Sequence, residues 1–307
     1  SVGPLGDCDA MTSQTKPDVT VDAVVAGGGM AGMTMGLALA TAGVSTAVVE
    51  MQPVETLRDS GFDGRTSAIA YGSQQIFAGI GVWDMLAGKA EPIRDIRIAD
   101  GTLSDGPSSL FLHYDRMDVD SDALGYILEN RDIRDALLTA GAANDAFQLL
   151  APARVASAER NAGNVMVTLD DGRRVEARLL IAADGKNSPL RQEAGIRATR
   201  FDYPQTAIVC TVGHARPHNG VAVELFLPSG PFAMLPMTGQ RSNIVWSERS
   251  ELARDILKLD DAAFFDELHR RFGDWLGEIH VEGPRFGFPL GLMHADRYTD
   301  RRLALIG

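Results

Sequence analysis

The chain has 307 residues, 45% hydrophobic and 23% charged, near the average for globular domains and long enough for two of them. That composition excludes a disordered tail, a collagen-like fibre and a coiled-coil rod. With 41 acidic and 29 basic residues the net charge is −12, which leaves no electrostatic footprint for nucleic acid and no global attraction to anionic membranes. Only a local basic or apolar patch would give peripheral membrane contact. Cys8 and Cys210 are too few for a disulfide framework and form no CxxC, so a reducing, cytoplasmic setting is expected.

Residues 1–17 have no apolar h-region and no basic n-region, so they are no secretory signal. Residues 1–18 read as a flexible tail. Residues 19–25 alternate and are rich in Val, as a strand requires. The uncharged stretch 23–49 suggests a membrane span, but a span needs about 20 mostly apolar residues in one helix. Gly27, Gly28, Gly29, Gly32, Gly36 and Gly43 interrupt this one. Strand, turn, helix, turn, strand accounts for it better. Residues 30–42 carry good helix formers, Gly43 stops them, and residues 44–49 form a second buried strand ending at Glu50. Such a βαβ unit predicts two parallel strands.

Further on, Asn130–Ala142 reads as a helix with Ile133, Leu137 and Leu138 on one face. Residues 164–169 and 174–183 read as strands joined by Asp170-Asp171-Gly172. Short strands then recur at 208–213, Val221–Leu227, 232–236 and 243–246, a pattern of antiparallel sheet. A helix over 260–272 and a short apolar strand over 302–307 complete the order. There is no internal repeat and no low-complexity segment.

Two motifs carry chemistry. The run Gly27-Gly28-Gly29-Met30-Ala31-Gly32 fits GxGxxG between a strand and a helix. Gly27 makes the tight turn, Gly29 lets a pyrophosphate reach the backbone, and Gly32 lets helix and strand pack closely. Met30, Ala31 and Gly32 open the helix, whose free N–H groups and positive dipole end suit a diphosphate. Glu50 follows Gly27 by about 20 residues, the spacing of the acid that accepts hydrogen bonds from ribose hydroxyls. In the second motif an apolar strand runs into Asp184-Gly185. Asp184 can take hydrogen bonds from a cofactor's hydroxyls, and Gly185 permits close backbone approach. An Asp-Gly turn with Ser188 capping a helix is the structural alternative.

With both motifs present, the chain resembles the class A flavin monooxygenases, and within them the ubiquinone-biosynthesis aromatic hydroxylases. Glycines 27, 29 and 32 with Glu50 match that family's fingerprint, and Asp184-Gly185 its DG motif. The segment Gly61-Phe62-Asp63-Gly64-Arg65 resembles one whose arginine approaches the flavin. The segment around Arg131 resembles a helix start whose arginine also contacts FAD. The resemblance further sets the backbone of Val155 against the adenine, although a core valine explains that residue equally well. The family's third motif is a strand ending in Gly-Asp; residues 303–307 match its strand and glycine, and the sequence stops there. The resemblance therefore implies a chain truncated at that motif.

The expected architecture is α/β. A Rossmann-like FAD-binding domain is expected from segments 19–90, 119–197 and 286–307, and a mostly antiparallel substrate domain from 91–118 and 198–285. The resemblance implies FAD as cofactor, NAD(P)H as reductant, O2 as co-substrate and a polyprenylated ubiquinone precursor as the aromatic substrate. It also implies a place in a ubiquinone-biosynthesis complex at the inner membrane. Phe226, Phe232 and Met234 are candidate walls for the prenyl chain, and equally candidate core. Arg65 as a surface cation and an Arg131–Asp135 ion pair are the structural alternatives for those two residues. No catalytic acid or base stands out, as expected where the flavin carries the chemistry. His214 and His218 flank Pro217 and lack metal-ligand spacing on a helix, and no metal site is expected. Three rival readings share features with the chain. They are a geranylgeranyl-type flavin reductase, a plain NAD-dependent dehydrogenase, and a non-catalytic FAD-fold subunit of a biosynthetic complex.

Overall fold

The computed structural model describes residues 16–59, 61, 64–119 and 121–307. The tail reading of residues 1–15 lies outside the described residues, as do Phe62 and Asp63 of the arginine segment. The architecture is α/β, with four sheets among the described residues.

The parallel sheet runs in the order Phe147–Leu150, Thr46–Val49, Ala23–Ala26, Leu179–Ala182, Leu303–Leu305, with Thr299–Asp300 antiparallel at its edge. Its central strands are apolar at every position but Thr46 because both faces are covered. On one face Val25, Val48 and Ile181 pack with Met33 and Leu37 of helix Met30–Thr41 and with Ile133 and Leu137 of helix Asn130–Ala142. On the other face Val24, Val49 and Leu180 pack with Val165, Val167 and Val175 of a four-stranded sheet. Full burial of side chains of this size stabilises by about 1.5–3 kcal/mol each.

Two expected strands are each split between these sheets. Val19–Thr20 pairs with Arg174–Ala177 in the four-stranded sheet, whereas Ala23–Ala26 belongs to the parallel one. Likewise residues 174–183 divide into Arg174–Ala177 and Leu179–Ala182. The two breaks lie together. The N–H groups of Arg178 and Leu179 both donate to the Asp22 carbonyl, at 3.0 and 3.2 Å. The Ser45 hydroxyl donates to the Asp22 carboxylate at 2.7 Å, and this bond leads the causes that hold its pKa below the usual carboxylate value. Two neighbouring strands thus pass from one sheet to the next at a shared polar crossing.

The seven-stranded sheet runs Ile279–Ala295, Ala198–His214, Arg241–Arg249, Gly230–Met237, Val221–Leu227, Asp95–Thr102, Gly106–Asp115. All its pairs are antiparallel except Val221–Leu227 with Asp95–Thr102. Helices Ser250–Ile256 and Asp261–Phe272 cover one face, where Phe232, Ile244, Trp246, Phe264 and Leu268 form a core. Strand Ala198–His214 is far longer than 208–213 because it pairs on both sides, with register shifts at Asp202/Thr206 and Val209/Thr211. A small sheet of Thr66–Ala70, Gly125–Glu129 and Glu91–Ile93 completes the fold. Strand Ile279–Ala295 runs through the 285/286 position where the sequence suggests a segment boundary. No helix among the described residues is long and apolar enough to cross a membrane.

Candidate functional site

The carboxyl ends of the parallel strands gather the nucleotide-type residues. Strand Ala23–Ala26 has Thr46–Val49 on one side and Leu179–Ala182 on the other, so Gly27, Glu50 and Asp184 follow three adjacent strands. The first crossover goes to one side of Ala23–Ala26 and the later strand lands on the other. That is a topological switch point, where open α/β sheets bind ligands. The ladder continues past the strands: Gly27 N–H donates to Val49 O and Ala183 N–H to Ala26 O, both at 2.8 Å.

Each glycine's role can be tested against its surroundings. Gly27 has φ 105°, and a Cβ there would collide with the Ala183 carbonyl. A Cβ on Gly32 would collide with the Gly27 carbonyl and meet the Ala183 side chain at 3.1 Å. A Cβ on Gly29 would meet nothing within 4 Å. Packing therefore demands glycine at 27 and 32, whereas at 29 the chain leaves open space in front of the helix. No side chain caps helix Met30–Thr41, and Met33 N–H is the first to reach back, to Gly29 O at 2.9 Å. The first-turn N–H groups of Met30, Ala31 and Gly32 have no intrahelical acceptor.

Glu50 is 9% exposed and its carboxylate is held from two directions. Gly28 N–H donates to Oε2 and Gln52 N–H to Oε1, both at 2.8 Å. Gly28, which the fingerprint leaves as a free position, is fixed by this carboxylate: a Cβ on it would meet Glu50 Cβ at 2.6 Å. The middle glycine of the triplet was the available signal. Asp184 is half-buried and accepts from Leu190 N–H at 3.4 Å, while Ser188 caps helix Pro189–Glu193 through Arg191 N–H at 2.9 Å. Gly185 is exposed, with φ 84° and open space around it. Gly307 closes the row beside Ala31, with a would-be Cβ 3.6 Å from the Ala31 Cβ.

Arg65 and Arg131 form a second group. Asn130 N–H donates to Arg65 O at 3.1 Å, and the Arg65 guanidinium stands 5.6 Å from the Phe288 ring centre. Arg131 pairs with Glu129 at 2.6 Å and lines a polar pocket of about 260 Å³ with Lys89 and Arg241. Asp135 bonds Arg58 instead, at 2.7 Å. Asn243, missed in the sequence, fixes this group to the seven-stranded sheet. It is 1% exposed, donates to Gly64 O at 2.9 Å and accepts from the Thr66 hydroxyl at 3.1 Å. Its partners lie far away in the sequence, so no local pattern marks it. Gly64, at φ 74°, leaves room for Phe286, which a Cβ would meet at 2.5 Å.

The remaining candidates separate. Val155 starts strand Val155–Arg160 and packs against the core shared by the two sheets. Phe232 is 0% exposed beside Trp246, and Met234 is buried on the same helix-covered face. Phe226, 45% exposed, alternates with Leu225 and Leu227 and so points to the other face.

Residues 20–307 match the family described as FAD binding domain. The ubiquinone hydroxylase UbiL of Rhodospirillum rubrum is 48% identical over 290 residues, covering 94% of this chain and 66% of the relative. The mitochondrial ubiquinone biosynthesis monooxygenase COQ6 of Xenopus tropicalis is 30% identical, covering 96% of this chain and 73% of the relative. The chain belongs to the ubiquinone-hydroxylase branch of the FAD-binding family. It spans about two thirds of the length of these curated relatives, 66% and 73%. In fold, this branch member is similar to a PqsL variant of P. aeruginosa, with a TM-score of 0.77 and 20% identity over 94% of this chain and 78% of that one.

Proposed function

We propose that the chain is the FAD-bearing part of a monooxygenase that hydroxylates the aromatic ring of a polyprenylated ubiquinone precursor. NAD(P)H would be the reductant and O2 the co-substrate. The observation that carries this is the row of strand ends at the switch point: an uncapped helix start behind open space at Gly29, a buried acid at Glu50, and Asp184-Gly185 on the next strand. The relatives, a ubiquinone hydroxylase and a ubiquinone biosynthesis monooxygenase, supply the reaction class.

The residues suit FAD. The N–H groups of Met30, Ala31 and Gly32 would take the diphosphate, with Gly27, Gly29 and Gly32 allowing the approach. Glu50, oriented by Gly28 and Gln52, keeps lone pairs for ribose hydroxyls, and Asp184 would take hydroxyls on the opposite side. Arg65 and Arg131 would approach the flavin ring, and the backbone at Val155 the adenine. Bound FAD would supply the oxygen activation, leaving the protein to bind, orient and exclude water. The exposed part of the sheet face around Phe226 would receive the aromatic ring and its chain. The division into an FAD domain (19–90, 119–197, 286–307) and a substrate domain (91–118, 198–285) belongs to the same proposal. So do a cytoplasmic setting with peripheral contact at the inner membrane and a place in a biosynthetic complex.

The test is an absorption spectrum of FAD-loaded protein, anaerobic reduction by NAD(P)H, and mass spectrometry of quinone precursors after air is admitted. A product heavier by one oxygen, labelled from ¹⁸O2, is expected. Reduction of a substrate double bond without O2 uptake would replace this function with a reductase.

A further inference from the structure

Strand Arg241–Arg249 presents two faces. Ile244 and Trp246 enter the core beneath the helices, so Asn243 points to the opposite face. There it is 1% exposed, and its amide is used at both ends. Nδ2 donates to Gly64 O at 2.9 Å and to Cys210 O at 3.4 Å, and Oδ1 accepts from the Thr66 hydroxyl at 3.1 Å. The two carbonyls can only accept, so the amide has one orientation. Burying an amide costs free energy unless it is bonded, and an aliphatic side chain would fill a sheet position without that demand. What the asparagine adds is direction: it grips the chain on both sides of Arg65.

A second asparagine holds the same segment from the other side. Asn130, 6% exposed, donates its N–H to Arg65 O at 3.1 Å, and its side chain accepts from the Ser67 hydroxyl at 2.6 Å. Residues 64 to 67 are thus bonded alternately to Asn243 and to Asn130. The first belongs to the seven-stranded sheet, and the second opens helix Asn130–Ala142 beside Arg131. The sheet also packs directly on this segment. Phe286, stacked with Phe288, lies where a Gly64 Cβ would be, and the Arg65 guanidinium stands 5.6 Å from the Phe288 ring centre.

We propose that Asn243 is a positioning residue for the flavin, resting on the reading above that Arg65 meets the flavin ring. By fixing the backbone before and after Arg65, Asn243 aims its guanidinium, and the seven-stranded sheet thereby sets the affinity for FAD.

A double-mutant cycle tests this, with FAD affinity read by fluorescence titration and the flavin reduction potential by equilibration with a reference dye. Arg65→Ala and Asn243→Ala should each weaken FAD by about tenfold, and the double variant no further than either alone. Both single variants should lower the reduction potential, because a positive charge beside the flavin favours added electrons. In the Arg65→Ala background, Asn243→Ala should leave that potential unchanged. If Asn243→Ala unfolds, Thr66→Val completes the same cycle: it removes the hydroxyl at the other end of the link, at a strand position that suits valine. A merely structural asparagine would weaken FAD equally with or without Arg65 and leave the potential alone. Equal losses in the two backgrounds, or FAD affinity unchanged by Asn243→Ala, would overturn the positioning role. Arg65→Ala protein with normal FAD affinity and potential would also overturn it, while leaving FAD binding intact. Wild-type protein that takes up no FAD would instead remove the proposed function, and this inference with it.

Discussion

Replacing Glu50 by alanine should be felt in two separable measurements. The carboxylate accepts from Gly28 N–H and Gln52 N–H, both at 2.8 Å, in a site 9% exposed. Hydrogen bonds to a charged group contribute about 1.5–3 kcal/mol each, and the stranded donors carry a further desolvation cost unless water enters. The two bonds share one carboxylate, so their losses are not additive. A stability loss of about 2–4 kcal/mol in the FAD-free protein is the expected range. At roughly 2–4 °C per kcal/mol for a large domain, Tm should fall by about 4–16 °C. Loss of the ribose contact should separately weaken FAD by roughly tenfold to a hundredfold, the equivalent of about 1.5–3 kcal/mol. Glu50→Gln, which keeps one acceptor oxygen but turns an amide N–H toward the other donor, should fall between wild type and alanine in Tm. The assays are a melting curve without FAD and a flavin fluorescence titration at a temperature where both variants are folded. A folded Glu50→Ala protein with unchanged FAD affinity would refute the ribose assignment, whatever its Tm.

Four other outcomes are expected. Gly32→Ala should lose more than about 2 kcal/mol because the new methyl meets backbone that cannot yield, whereas Gly29→Ala should melt normally and lose FAD affinity; melting curves and flavin titration separate the two. Burial holds the His214 pKa below its usual value, while its ring nitrogens lie 2.7 Å from Arg216 O and 3.2 Å from Ser242 Oγ. The unfolded chain then takes the proton first, so His214 leaves stability untouched above about pH 6.5 and lowers it as pH falls further. Urea midpoints for His214→Gln should lose that part of the acid slope. Cys210 is buried and its thiol is pushed up to about 12, so Ellman's reagent at pH 8 should label it only after unfolding. Phe232→Ala should cost about 3–5 kcal/mol by opening the core, while Phe226→Asp should remain folded and raise KM for a long-chain substrate more than for a short one.

The parts of the fold legible in the sequence are those set by local pattern. Helix Asn130–Ala142 and strand Val221–Leu227 lie where periodicity and turn residues put them, and the fingerprint's steric logic holds at Gly27 and Gly32. What was illegible depends on partners distant in sequence. Nothing local tells residues 19–25 that their strand changes sheets at Asp22, because the cause is Arg178 and Leu179 on a neighbouring strand. Pro284 and Pro289 argue against a long strand, yet Ile279–Ala295 is an edge strand with register shifts, where proline is tolerated. Phe232 and Phe226 look alike in sequence; helices cover the Phe232 face of their sheet, whereas the other face packs on the small sheet at Ala222 and Met237 and is left exposed at Phe226. Asn243 carries no motif at all, since its meaning is the Gly64 carbonyl it holds.

The order of the parallel sheet also dictates when the nucleotide edge can exist during synthesis. Strand Ala23–Ala26 leaves the ribosome before its neighbours, and Thr46–Val49 soon after it, but its other neighbour is Leu179–Ala182. At roughly 5–20 residues per second, the fingerprint strand waits about 8–30 s for that partner. Meanwhile Val24, Val25, Met33 and Leu37, all fully covered in the finished fold, have only part of their cover. A nascent chain caught in that interval exposes an apolar strand edge, the kind of surface that chaperones hold. Codon changes that slow translation between residues 50 and 180 should therefore lower the yield of folded protein more than equal slowing after residue 182.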